Sequence, residues 1–396
     1  MSLPNTMKAV VFDGPRKVSI QDRPVPQLQD DTDVLVKVTA AALCGSELHV
    51  YRGHQASETG FVMGHEFVGT VVAAGRAVKN LSVGDKIVAP FTVSCGECFY
   101  CRRGFSSRCA SSRLFGSPAL DGGQAEFVRI PLADGTLFHA PPVSSISDSA
   151  LILMADIFPT GYYAAKSALE LEPPQPPSNP PASSSPSSSS SGAKDTEDAV
   201  SAAALLAPPA PPHRVVVVIG CGPVGLCALV AAAHVLSPRA LFAVDSVPAR
   251  LAQAAALGAE PLDFAGEGGV ERVRARVAEA SGGRGADVVI EVVGLAPALR
   301  TAFELVRPFG VISSIGVHNA EIPWTGNEAY GKNIRLQMGR CPVRSIFPEA
   351  LRLLSQKQHL LGFMFDNIMP LSKAVEAYTL FDEMKVQKVI FKPHPI

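Results

Sequence analysis

The sequence predicts a two-domain α/β protein, in which a β-rich domain precedes a doubly wound, parallel sheet. In the first hundred residues, short apolar runs alternate with Gly, Pro and Asp turns. Beyond residue 213, continuous apolar strands alternate with amphipathic helices, which is typical of a parallel sheet covered on both faces. The length of 396 residues also exceeds that of one ordinary hydrophobic core.

Apolar runs at residues 8–12, 34–38, 67–72 and 86–89 predict the strands of the first domain, which we place at residues 1–170. The second domain is placed at residues 213–357. Its predicted strands lie at 215–219, 240–244, 287–290 and 310–315, and its helices at 249–257, 270–280 and 296–306. The remaining segment, 358–396, ends in an apolar run at 388–392, which predicts a strand that returns to the first domain.

A Pro/Ser-rich stretch at residues 171–212 separates the two domains. Its proline runs and serine tract cannot bury a core, so we expect a disordered insertion with polyproline II character. A short helix is predicted inside it at residues 198–206. A docking or phosphorylation segment is the alternative to a tolerated surface insertion.

Composition limits the classes of partner. A net charge of -1 with 18% charged residues provides no basic field for nucleic acid or anionic lipid. No apolar run reaches the roughly 18 residues of a membrane span, and no signal peptide is evident, so we expect a cytoplasmic protein that acts on a small molecule. In that setting the cysteines favour metal ligation over disulfides, with Cys221, Cys227 and Cys341 as buried thiols.

Four cysteines form the most specific local pattern in the chain. Their spacing suits a tetrahedral S4 zinc site, and no coordination position is left open for a substrate. The site is therefore predicted to be structural, and an iron–sulfur cluster is the alternative. The four residues are Cys95, Cys98, Cys101 and Cys109.

A glycine pattern follows the strand predicted at 215–219 and opens an Ala/Leu-rich helix. In this context it predicts a dinucleotide-binding turn, where the pyrophosphate approaches the helix N-terminus. Asp245 follows the next strand, and its carboxylate can accept hydrogen bonds from ribose and repel a 2′-phosphate, which favours NAD over NADP. Arg250 is close enough in sequence to weaken that preference, and a turn-capping role for Asp245 is the alternative. The residues of the turn are Gly220, Gly222, Pro223, Val224 and Gly225.

A third cluster combines metal-ligand and proton-transfer groups within a short stretch: Cys44, Ser46, His49, His65 and Glu66. Each residue alone has a structural interpretation. Cys44 and His65 can be core residues, Ser46 a capping residue and His49 a surface histidine. Only their combination suggests a reaction centre.

In order, spacing and residue type, these motifs resemble the zinc-dependent medium-chain alcohol dehydrogenase family across nearly the whole chain, the Pro/Ser-rich stretch excepted. The resemblance implies a GroES-like catalytic domain, a Rossmann domain and two zinc ions per chain. It also implies that Cys44, His65 and Asp156 hold the catalytic zinc. The segment Asp156-Ile-Phe-Pro-Thr-Gly-Tyr resembles the corresponding segment in one branch of the family. That branch includes glutathione-independent formaldehyde dehydrogenases and polyol or secondary-alcohol dehydrogenases.

From the resemblance we expect oxidation of an alcohol by NAD, or the reverse reduction of an aldehyde or ketone. Zinc would polarise the substrate oxygen, Ser46 and His49 would relay the proton, and Glu66 would lie beside the zinc ligands or bind the zinc transiently. Gly45 stands where many members carry a basic residue, and Lys388 matches another position that contacts the pyrophosphate.

Two alternatives remain open on the sequence. One is a formaldehyde dehydrogenase or dismutase that retains its cofactor between turnovers. The other is a non-catalytic protein that keeps zinc and nucleotide sites. The resemblance also implies a homodimer or homotetramer, formed through an edge strand near residues 312–317.

Overall fold

The computed structural model describes residues 3–141, 146–172 and 214–394. The helix predicted at residues 198–206 lies outside the described residues. Before the Pro/Ser-rich stretch the chain forms a β-rich domain, as predicted. Its strands are β1 (Thr6–Gly14), β2 (Lys17–Pro24), β3 (Val34–Leu43), β4 (Glu66–Ala74), β5 (Lys86–Ala89), β6 (Phe127–Ile130) and β7 (Phe138–His139).

Strand β3 is the centre of this domain. It pairs in antiparallel fashion with β4 along its whole length and with β6 at its beginning. Its residues are almost all buried, as an apolar strand between two neighbours requires. The helices of the domain are α1 (Glu47–Tyr51), α2 (Phe99–Arg102), α3 (Ala133–Thr136), α4 (Asp148–Leu151) and α5 (Ile157–Leu171).

The second domain contains a parallel sheet with helices between its strands. Its strands are β8 (Val215–Ile219), β9 (Ala240–Asp245), β10 (Glu260–Asp263), β11 (Ala286–Glu291), β12 (Val306–Ser314) and β13 (Arg335–Met338). Its helices are α6 (Pro223–Val235), α7 (Pro248–Ala256), α8 (Gly269–Ser281), α9 (Ala296–Leu305), α10 (Gly326–Lys332) and α11 (Val343–Lys357). The strand order β10-β9-β8-β11-β12-β13 reverses between β8 and β11, so the predicted doubly wound sheet is confirmed.

The edge of this sheet differs from the expectation. Residues 312–314 belong to β12, which lies between β11 and β13, so the edge strand is β13. Burial explains the difference, because residues 310–314 are buried on both sides and the partly exposed β13 has no continuous apolar run.

The end of the chain returns to the first domain, as predicted. It contains β14 (Ile368–Pro370), α12 (Ala374–Asp382) and β15 (Val389–Lys392). Strand β15 pairs with β3, with Phe391 opposite Ala41. Among the described residues, no helix combines the length and the hydropathy needed to cross a membrane.

Helix α5 connects the two domains by packing on α6. The helices approach so closely that a Cβ added to Gly161 would lie 2.6 Å from the backbone nitrogen of Ala228. Both residues lie in the second turn of their helices. The packing therefore brings the beginning of α5 near the glycine turn that precedes α6.

Candidate active site

Cys44 and His65 lie side by side because β3 and β4 are antiparallel neighbours. Cys44 directly follows β3, and His65 directly precedes β4. The register pairs Ala42 with Glu66, so the two side chains reach the same end of the sheet. Both residues are buried, with 4% and 5% of their surface exposed.

Asp156 joins them from the beginning of α5. Asp156 directly follows a 3-10 turn at Ile152–Ala155. The Asp156 Oδ1 atom accepts a hydrogen bond of 2.8 Å from the Thr160 hydroxyl. Its Oδ2 lies 3.5 Å from Cys44 Sγ and 3.4 Å from His65 Nε2. One ligand atom from each of the three residues therefore lies within 4.8 Å of the other two.

The donor set fits a zinc ion. A thiol, an imidazole and a carboxylate are its preferred ligands, and three protein ligands leave a fourth position for a substrate. Burial, reinforced by the negative charges of Glu66 and Asp156, raises the pKa of the Cys44 thiol. For His65, burial opposes protonation, but Glu47 and Cys44 outweigh it and the pKa lies well above the ordinary value. A bound cation would relieve this crowding of acidic groups.

Glu47 is a member of the site that the sequence analysis did not single out. Its Oε1 lies 3.3 Å from His65 Nδ1, and its Oε2 accepts the backbone N–H of Cys44 at 3.0 Å. Gln124 also donates to Oε2, and Tyr378 donates to Gln124. A metal-bound histidine needs an acceptor on its second ring nitrogen, and the carboxylate three residues after Cys44 was the available signal.

Ser46 and His49 extend the site along α1. Ser46 Oγ lies 3.4 Å from Cys44 Sγ and 3.4 Å from His65 Nε2, so its hydroxyl borders the ligand set. His49 is half-buried one turn later, and its backbone N–H donates to the Ser46 carbonyl. Burial, with the charges of His54 and Arg52, lowers the pKa of His49 below its usual value.

The four-cysteine loop brings its sulfur atoms together as predicted from spacing. One sulfur from each residue lies within 4.8 Å of the others, and Cys109 Sγ is 3.5 Å from Cys95 Sγ. All four cysteines are free thiols. Backbone N–H groups of Ala110 and Cys101 lower the pKa of Cys98 to about 6, which favours the thiolate that zinc requires.

The glycine turn lies between β8 and α6. Gly220 has a φ of +94°, Gly222 caps α6, and Pro223 and Val224 begin the helix. A Cβ added to Gly225 would lie 1.8 Å from the Gly220 carbonyl oxygen, so the turn has no room for a side chain there. The local geometry is that of a dinucleotide-binding turn.

Asp245 ends β9 beside this turn. Its Oδ2 accepts the backbone N–H of Cys221 at 2.7 Å, and its Oδ1 accepts those of Ser246 and Val247. Arg250 Nη1 lies 3.9 Å from Oδ2. The residue caps a turn and also places a carboxylate next to the glycine turn, so the two interpretations from the sequence are compatible.

Two family models match the chain, the alcohol dehydrogenase GroES-like domain at residues 30–142 and the zinc-binding dehydrogenase model at residues 223–356. Zinc-type alcohol dehydrogenase B of Aspergillus flavus is 54% identical over 99% of this chain and 82% of its own length. The chain belongs to the zinc-dependent medium-chain dehydrogenase family. It is therefore an oxidoreductase of the zinc alcohol dehydrogenase type, and the predicted resemblance is confirmed.

Two further proteins are similar to this chain along almost its whole length. The structure of alcohol dehydrogenase TADH from Thermus sp. ATN1 superposes with a TM-score of 0.80 and 33% identity, covering 98% of this chain and 99% of the other. Formaldehyde dismutase of Pseudomonas putida is 27% identical over 98% of both chains. The GroES-like and Rossmann fold classes are thus confirmed together.

The predicted contact of Lys388 with the cofactor pyrophosphate stays a prediction. In the structure its side chain is fully buried, and its Nζ pairs with Glu66 Oε2. Position in sequence, just before β15, could not reveal this pairing, which exists only because β15 returns to β3 beside β4. Glu66 in turn is directed to Lys388 and lies outside the group of Cys44, His65 and Asp156.

Proposed function

We propose that the protein is an NAD-dependent zinc alcohol dehydrogenase, which oxidises an alcohol or reduces an aldehyde or ketone. The observation that carries the proposal is the buried cluster of the Cys44, His65 and Asp156 side chains. The contact between Gly161 of α5 and Ala228 of α6 supports it, because it sets this cluster near the glycine turn. We assign the catalytic part to residues 1–170 and 358–396, and the cofactor part to residues 213–357.

Zinc held by Cys44, His65 and Asp156 would supply a Lewis acid for the substrate oxygen, and NAD would supply the hydride acceptor. The chain supplies the remaining steps. Glu47 holds His65 in one orientation through Nδ1, and Thr160 holds Asp156. The Ser46 hydroxyl borders two of the ligand atoms, and it would accept the proton of the substrate hydroxyl while releasing its own proton toward His49. His49 would pass that proton to solvent, and burial lowers its pKa, which favours the neutral imidazole that can accept a proton.

The preference for NAD over NADP rests on Asp245. Its carboxylate borders the glycine turn and would repel a 2′-phosphate while accepting hydrogen bonds from ribose hydroxyls. Four lone-pair positions are available on a carboxylate, and backbone groups of Cys221, Ser246 and Val247 use three. Capacity for a ribose hydroxyl is therefore left.

A homo-oligomer is part of the proposal. Strand β13 lies at the edge of the sheet, where its backbone can pair with that of a second copy. A two-fold arrangement would join the two sheets and give a homodimer, or a homotetramer through a further contact.

A panel of alcohols should reduce NAD in the presence of the protein, and NADP should serve at least about tenfold less well, a difference of about 1.4 kcal/mol. NADH absorbance measures the rate with each cofactor. Aldehydes and ketones, tested with NADH, report the reverse reaction. If every substrate failed although zinc and NAD were fully bound, the non-catalytic alternative would replace this proposal.

A formaldehyde dismutase is the second candidate, favoured by the 27% identity to that enzyme of Pseudomonas putida. It would retain its nucleotide between turnovers. Gel filtration of the protein before the assay separates the candidates. A dehydrogenase then needs added NAD, whereas a dismutase converts formaldehyde without it.

Replacing His49 by Gln should slow alcohol oxidation roughly 10²-fold, because the proton released at Ser46 loses its acceptor. The deficit should be largest at low pH, where water is the poorest acceptor. Steady-state rates over a range of pH test this, with His139→Gln as the control, since His139 is an exposed histidine of the same domain. Loss of zinc from the His49 variant would contradict the relay and indicate a ligand.

A further inference from the structure

A buried carboxylate ties together two loops of the cofactor domain. Glu291, the last residue of β11, is fully buried, and its Oε1 accepts the backbone N–H groups of Val293 and Gly294 at 2.7 and 2.8 Å. Its Oε2 accepts the Ser314 hydroxyl at 2.7 Å and lies 2.9 Å from His318 Nε2. Ser314 ends β12, and His318 lies in the loop that follows. One carboxylate therefore fixes the loops after both strands.

The ring of hydrogen bonds closes between Ser314 and His318. Ser314 Oγ lies 2.9 Å from His318 Nε2, so the Nε2–H group faces both the hydroxyl oxygen and the Glu291 carboxylate. Strand register explains the meeting, because Glu291 and Ser314 are direct partners in the pairing of β11 with β12. Of the three side chains in this ring, that of His318 comes from beyond the two strands.

These two loops also pack against each other and against the glycine turn. A Cβ on Gly316 would lie 2.2 Å from the Gly294 nitrogen, and a Cβ on Gly220 would lie 2.7 Å from a methyl group of Val293. Val292 donates its N–H to the Ile219 carbonyl at 3.1 Å. The loops are thus a direct continuation of the surface that the glycine turn begins.

The strand order locates this surface within the nucleotide site. Dinucleotides lie across the carboxyl ends of the strands where the order reverses, which here is between β8 and β11. The glycine turn and Asp245 belong to the β8-β9-β10 half, which takes the adenosine ribose. The loops after β11 and β12 therefore border the nicotinamide half.

We propose that His318, held by Glu291 and Ser314, is a positioning residue for the nicotinamide half of the cofactor. It acts through the two loops, by fixing the backbone between Glu291 and Gly294 against the loop after β12. The proposal rests on the function proposed above, since it requires a nicotinamide dinucleotide in this crevice. It adds a group of three residues, none of them a metal ligand, that sets how the reactive ring is held.

The test compares two ligands that differ in the nicotinamide. Binding of NADH and of ADP-ribose, which lacks that ring, is measured by calorimetry for the parent and for His318→Ala. We expect the dissociation constant of NADH to rise about tenfold and that of ADP-ribose to change less than about twofold. His318→Gln should recover most of the NADH affinity, because its amide N–H can replace Nε2–H. His234→Ala, at an exposed histidine of α6, is the matched control and should change neither constant.

Three results would overturn the inference. Unchanged NADH binding by His318→Ala would show that the ring positions nothing. An equal loss of both ligands would indicate a general structural role. If His318→Gln did not recover NADH binding, the loss in His318→Ala would not come from the hydrogen bond to Glu291. If the parent protein bound neither NADH nor ADP-ribose, the proposed function itself would be wrong. That result differs from the three above, in which the parent binds NADH.

Discussion

Replacing His65 by alanine is expected to remove the zinc ion that we assign to Cys44, His65 and Asp156, and to lower alcohol turnover about 10³-fold or more. His65 is one of three buried donors that can meet at one point, and Cys44 and Asp156 alone hold a metal poorly. Zinc contributes several kcal/mol to the reaction, and about 4 kcal/mol corresponds to a factor of about 10³. Elemental analysis and steady-state rates on the same preparation measure both effects.

The remaining zinc should stay in the four-cysteine loop, because its sulfur atoms form a separate group. Cys98→Ser provides the complementary variant, in which the other ion is lost. His139→Ala serves as the control for loss of a histidine in this domain and should keep both ions. If His65→Ala retained two zinc ions and full turnover, the assignment of the ligand set would be wrong.

The fold could be predicted from the sequence where apolar runs are bounded by turns. Strands β5 and β8 lie at the predicted residues because glycine or proline turns limit each run. Strand β2 was missed, since most of its residues are partly exposed and its stability depends on pairing with the apolar β1. Strand β12 begins at Val306, earlier than predicted, because Arg307 and Pro308 interrupt the apolar pattern.

The candidate site was predictable in its ligands and less so in their surroundings. Cys44, His65 and the four-cysteine loop are identified by residue type and spacing, which the sequence contains. Contacts such as Glu47 with His65 depend on side-chain direction, as does the group of Glu291 and His318. Those contacts arise from strand register and chain return, neither of which a local pattern specifies.

The buried ion pair of Glu66 and Lys388 leads to the second large effect. Lys388→Met should lower the free energy of unfolding by about 3–5 kcal/mol, because it leaves a carboxylate buried without its cation. Both side chains have 0% exposure. Within the part of the chain that the structure describes, Glu66 Oε1 has no hydrogen-bond partner, and Lys388 is the hydrogen-bond partner of Oε2. Urea unfolding followed by circular dichroism measures the change.

The pH dependence of this loss follows from the pKa of Glu66. Burial raises it above 4.5 and Lys388 opposes that rise, so removing the lysine raises it further. When folding raises the pKa of a carboxyl, the free energy of unfolding of the protein falls as the pH rises from the unfolded-state pKa through the folded-state pKa. The deficit of Lys388→Met should therefore be smallest near pH 4.5 and grow as the pH increases.

Adding Glu66→Gln to Lys388→Met should recover most of the lost stability, because the buried group is then neutral. Lys373→Met is the matched control, since Lys373 pairs at 3.0 Å with Glu376 on the surface and exposed pairs contribute little. The same variants distinguish the two roles considered for Lys388. If Lys388→Met unfolds at the same urea concentration as the parent but binds NADH weakly, the result would support a contact between Lys388 and the pyrophosphate. Reduced stability that Glu66→Gln reverses would establish the buried pair, because a pyrophosphate contact gives Glu66 no such effect.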